Sequence, residues 1–176
     1  SLTTALAEGG APLVGELTPV LNEVSLFHGS AADVTELAND VMNAFTAGGI
    51  AAAHAVSESA RQLFESLSGQ LLGLRTDNGI DVMAEVLDIV AQLAVTGHVQ
   101  DIQVVTTYAK AAIDGGAGLD EIVRAASAAR DAAPAIQAAT AAGGQQAGDA
   151  AFDAANDILE HGGSDAQAAD AADAVA

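Results

Sequence analysis

Residues 30–48 read SAADVTELANDVMNAFTAG, and this stretch decides the fold class. Val34, Leu37, Val41, Met42 and Phe45 recur three and four positions apart, the spacing that gathers apolar groups on one face of an α-helix. Ser30 stands at the N-cap position and Asp33 falls in the first turn, where the helix dipole favours a carboxylate. Gly48 is the expected stop.

The same reading extends in both directions. Upstream, Leu13, Leu17, Val20, Leu21 and Val24 share a face of a helix running from Pro12 to about Phe27, which Pro19 should kink or split. Downstream, Ile50 to Leu72 carries Ala53, Val56, Ala60, Leu63, Phe64, Leu67 and Leu71 at helical spacing. Asp77 or Asn78 then caps a helix holding Ile80, Met83, Val86, Leu87, Val90 and Leu93. Further helices are expected over about Val99 to Ile113 and from Gly118 onward, with Pro134 ending the latter or starting the next. Paired glycines at Gly9-Gly10, Gly48-Gly49, Gly115-Gly116, Gly143-Gly144 and Gly162-Gly163 punctuate the pattern. No alternating, β-branched run is long enough for a strand, and no fixed-period repeat is apparent.

The expectation is an all-α, alanine-rich multi-helix bundle of five or more helices, broken near Gly29, Gly48, residues 73–78, Gly97 and Gly115-Gly116. Its core should hold Leu37, Val41, Phe45, Leu63, Phe64, Leu67, Met83, Val86, Leu87, Val90, Ile102, Val105 and Ile122. Beyond Pro134, Ala, Gly, Gln and Asp replace the large apolar residues, leaving mainly Ile136, Phe152, Ile158, Leu159 and Val175. Alanine favours helix but buries little area. Residues 1–133 therefore read as the bundle and 134–176 as an acidic, Ala/Asp-rich helical arm that is partly loose.

Charge narrows the partners. The 176 residues hold 24 Asp and Glu against five Lys and Arg, a net charge of −19. Phosphate backbones and anionic membrane surfaces would be repelled, so neither nucleic acid nor such a membrane is an expected partner. Self-repulsion of this size weakens as salt shortens the Debye length, which suits a saline setting and bulk cations. With no cysteine there is no thiolate ligand, thiol nucleophile or disulfide. Every apolar run is broken by Asp, Glu or Gly before it could span a bilayer. A start at Ser1 favours a processed, secreted or organelle-lumenal protein, and no Asn-x-Ser/Thr sequon occurs.

No catalytic, cofactor-binding or metal-ligating constellation emerges. His28, His54, His98 and His161 lie far apart and outside any His-Glu-x-x-His or Glu-x-x-His pattern. They read as capping or surface residues. Ser57, Ser59, Ser66 and Ser68 lack a Gly-x-Ser-x-Gly elbow and read as helix-surface positions. Gly115–Glu121, GGAGLDE, has neither a Walker lysine nor three-glycine spacing and reads as an interhelical turn.

Asp149, Asp153, Asp157 and Glu160 place carboxylates about one turn apart on a single helix face, where like charges destabilise by ~0.2–0.5 kcal/mol per pair. That face is the candidate partner-docking site. The functional expectation is a non-enzymatic structural or assembly protein that packs on itself or docks as a peripheral subunit of a larger complex. The alternative is a carrier holding a lipid or pigment among Phe27, Met42, Phe45, Phe64, Met83 and Leu87.

Overall fold

The computed structural model describes residues 7, 9–26, 30–69 and 77–176. Among them are eight helices and no strand: α1 (Gly10–Leu26), α2 (Ala31–Gly69), α3 (Asp77–Val95), α4 (Val99–Asp114), α5 (Leu119–Asp131), α6 (Ala133–Gly143), α7 (Gln145–Glu160) and α8 (Asp165–Asp173). The all-α expectation holds. Ser30 caps α2 as its sequence suggests, its hydroxyl accepting from the Ala32 and Asp33 amides at 3.2 and 3.3 Å. Asp33 returns a carboxylate oxygen to the Ser30 amide at 2.6 Å.

Of two local expectations, one is corrected and the other is met. Pro19 does not split α1, which runs through it unbroken. The ring of a helical proline presses on the carbonyl four residues back; here that residue is Gly15, exposed and with open space around it, so the strain is relieved toward solvent. The stop near Gly48 is a sharp break inside α2 at Gly49, whose φ of 70° and ψ of −161° turn the chain and let helix resume at once.

That break is one of a series. Gly10, Gly49, Gly97, Gly116, Gly144 and Gly162 all have positive φ, and each lies at a helix start or in a break between helices. Helices neighbouring in sequence pair as hairpins: α1 with α2, α2 with α3, α4 with α5, α6 with α7, and α7 with α8. α2 also packs on α4, and single side chains tie α1 to α2, α2 to α4 and α4 to α7. The Ser57 hydroxyl donates to the Glu16 carbonyl at 2.6 Å, Ser59 meets Thr106 at 2.7 Å, and the Tyr108 hydroxyl donates to Asp149 at 2.9 Å. Farther along, α3 packs against α5, and α5 against both α7 and α8. The helices together form one multi-helix bundle with a continuous core.

The core runs continuously along the stack. Leu37, Val41, Leu63, Phe64, Leu67, Met83, Val86, Leu87, Val90, Ile102, Val105 and Ile122 are buried as expected, while Phe45 is only half-buried at the rim of the first hairpins. Toward the C-terminus the same core is continued by alanine: Ala151, Ala155, Ala168 and Ala172 are fully buried where α7 and α8 meet each other and α5. Small side chains let these backbones approach closely. Gly148 marks the tightest point, since a Cβ there would fall on the Thr140 hydroxyl of α6.

Candidate functional site

The acidic series lies on α7, but its members do not share one environment. Asp149 turns inward and accepts from both the Tyr108 hydroxyl at 2.9 Å and the Gln145 amide at 2.8 Å. Burial first, then the hydrogen bond and charge of Asp149, hold the Tyr108 phenol well above its usual range. The Tyr108 ring stacks on Phe152 with centroids 4.0 Å apart and planes 12° from parallel, so α4 and α7 are joined by an aromatic and a polar contact together.

Asp153 and Asp157 point to solvent, Asp157 lying 3.5 Å from the His161 imidazole. Glu160 lies 3.9 Å from the Arg124 guanidinium, which also sits 4.0 Å from Glu121 and donates weakly to Asn156 at 3.4 Å. Farther on, Asp165 pairs with Arg130 at 2.8 Å, while Asp170 and Asp173 are exposed. The face therefore divides: Asp149 ties α7 to α4, whereas Asp153, Asp157 and Glu160 are exposed, the last two beside His161 and Arg124.

The serines correct another expectation. Ser57, Ser59 and Ser66 are buried rather than on the helix surface, because the next hairpin packs directly over that side of α2. Each spends its hydroxyl across the junction, on the Glu16 carbonyl, on Thr106 and on Asp114 respectively. Only Ser68 is exposed, bonding the Glu65 carbonyl at 2.7 Å. Bonds from Lys110 and Ser66 hold the Asp114 carboxyl below its usual range. Residues Gly115–Gly118 form the α4–α5 turn, with Gly116 at a φ of 76°, and Leu119–Glu121 open α5.

The described histidines sit apart, each beside its own carboxylate. His54 meets Glu16 at 3.0 Å, His98 lies 3.3 Å from Asp101, and His161 bonds the Asp157 carbonyl at 2.8 Å near the end of α7. That carbonyl, followed by the Asp157 charge, raises the His161 pKa. His28 lies outside the described residues. Among the described residues no group of three or more His, Cys, Asp or Glu is arranged to hold a metal ion, and no helix is long and apolar enough to cross a membrane.

Sequence reasoning missed Asp40. Its side chain is buried on the α3-facing side of α2, only 8% exposed, and its Oδ2 has no hydrogen-bond partner. Burial first, then the charges of Asp88 and Glu36, push its pKa up to about 7. The signal was in the stretch that decided the fold: Asp40 is three residues after Leu37 and four before Ala44, squarely in the apolar stripe.

Comparison of the chain with protein-family models, with curated proteins and with solved structures finds no match.

Proposed function

We propose that the chain is a non-enzymatic structural or assembly protein, an acidic helical module that self-associates or docks as a peripheral subunit of a larger complex. The observation carrying this reading is how the reactive side chains are used: serine hydroxyls, imidazoles and the sole tyrosine are engaged between or along helices and do not converge on a common point. Stacked hairpins offer extended faces for protein contact. Asp153, Asp157 and Glu160 supply one such face with a sign that selects a basic partner or one screened by salt.

Size-exclusion chromatography with light scattering at ~0.1 and ~1 M salt tests self-association, because the Debye length falls about threefold between them. A mass above the protomer that grows with salt is the expected result. A compact monomer at every concentration and salt removes self-association and leaves docking on a basic partner. Neutralising Asp153, Asp157 and Glu160 together must then weaken capture of that partner.

The carrier reading moves to a different place in the molecule. Phe64, Met83 and Leu87 are packed into the core, and Phe27 lies outside the described residues. A cleft of about 330 Å³ lies instead among α4, α6 and the start of α7, with Val104, Tyr108 and Ile136 in its walls. Tyr108 is the only tyrosine in a chain without tryptophan, so its emission reports on this cleft alone. Saturable quenching by a lipophilic probe supports a carrier; unchanged emission, with no small molecule retained in native mass spectrometry, removes it.

A further inference from the structure

Between α2 and α3 lies a small notch of about 190 Å³ lined by Asp40, Asn43, Asp88, Ala91, Gln92, Val95 and Thr96. Its acceptors are one-sided. Asp40 presents a buried oxygen without a donor, Asp88 faces it from α3, and Glu36 stands one turn before it on α2. None of the ion pairs among the described residues reaches any of the three. Gln92 gives its side-chain amide to Asp88 at 2.8 Å, which leaves the amide oxygen as a further acceptor, and Thr96 donates to the Gln92 backbone carbonyl at 2.8 Å. A buried carboxylate normally has a donor, so the notch is chemically incomplete.

We propose that this notch receives one ammonium or guanidinium group on an aliphatic stem, the side chain of a lysine or arginine presented by a partner protein. A divalent metal fits poorly: the site does not gather the three ligating side chains such an ion needs, and part of its wall is the apolar surface of Ala91 and Val95. An alkylammonium or guanidinium brings several N–H donors for the carboxylates and methylenes for that wall.

The surroundings point to a protein as the carrier. Val95 is 49% exposed and Ile50 42%, two of the large apolar residues left in solvent. Gly48 approaches the Ala94 carbonyl, so both flank the same end of the α2–α3 pair. A bare ion has no use for that apolar rim, whereas a peptide segment with an apolar neighbour beside its cation covers it. Among the described residues the chain has no cation to spare: Arg61, Lys110, Arg124 and Arg130 are paired with its own carboxylates. Arg75 lies outside the described residues.

The docking reading enters only through the nature of the carrier, so small probes test the notch by itself. The ¹⁵N-labelled full chain in 0.15 M salt is titrated with N-acetyl-arginine methylamide and with butylammonium, following the side-chain amides of Asn43 and Gln92 and the backbone of residues 88–96. Saturable shifts confined to this region are expected, at least tenfold weaker in Asp40→Asn and unchanged in Asp153→Asn, which removes the same charge from an exposed helix face. Unsaturable shifts spread over all acidic helices, or shifts that survive Asp40→Asn, overturn the site. Equal saturable shifts with potassium or calcium at matched ionic strength overturn the organic cation. An arginine peptide with a neighbouring leucine should bind at least fivefold tighter than the single-residue probe; equal affinity overturns the protein carrier. Should the site fail, the self-association and basic-partner experiments on α7 stand unaffected.

Discussion

Ionising Asp40 places a negative charge beside Asp88 and Glu36 in a buried position, and the folded state bears the cost. The folded carboxyl keeps its proton up to a pH of about 7, whereas the unfolded chain releases it near 3.8. Between those values the unfolded state binds fewer protons, so this group makes stability fall as pH rises through the window. Asp40→Asn should therefore stabilise the protein at pH 8.5 by about 1–3 kcal/mol, the ordinary cost of an unsatisfied buried group, with a smaller gain at pH 5.5. Urea midpoints of the two proteins at both pH values measure it, and a gain independent of pH would show that ionisation is not the cause. Asp40 was legible in principle, since its place in the apolar stripe can be counted from Leu37. Its facing partner was not: Asp88 is 48 positions away in sequence, and only the pairing of α2 with α3 brings the two together.

Helix positions followed from the sequence because they depend on local chemistry, on spacing within a turn and on where glycine interrupts it. Helix partners did not, because alanine faces such as Ala151 and Ala155 look the same from every side in sequence. Close approach at Gly148 offers a sharp test of the α6–α7 pairing. Within an isolated helix, Gly→Ala gains roughly 0.5–1 kcal/mol. Here the new methyl would overlap the Thr140 hydroxyl, so Gly148→Ala should instead destabilise by about 1–3 kcal/mol. Adding Thr140→Ala should recover most of that loss, a coupling visible in a double-mutant cycle of urea midpoints. The last hairpin raises a second question of energetics. α7 and α8 reach the core through small residues, and Asp153, Asp157, Asp170 and Asp173 charge their outer faces. Their amides should exchange faster than those of α2 and α3 at ~0.1 M salt and gain protection at ~1 M, where the carboxylates are screened. Equal protection at both salts would make residues 147–176 as firm as the rest and end the distinction between bundle and arm.

At the scale of the whole molecule, the sequence conveyed an all-helical, acidic, cysteine-free chain, while the order of stacking came only from the structure. The pairing of α3 with α5 and of α5 with α7 and α8 joins segments far apart in sequence, and no local pattern marks those partners. The hairpin stack has a mechanical consequence. Because each hairpin touches mainly its neighbours, tension on the two ends of the described chain is carried in series; among the described residues there is no strand, and the chain has no cysteine to form a disulfide clamp. Pulled in an optical trap, the chain should lengthen by discrete steps, with the alanine-lined α7–α8 unit yielding first and at the lowest force. The molecule would then behave as a graded spring, soft at its acidic end and stiff where Leu63, Phe64 and Met83 fill the centre.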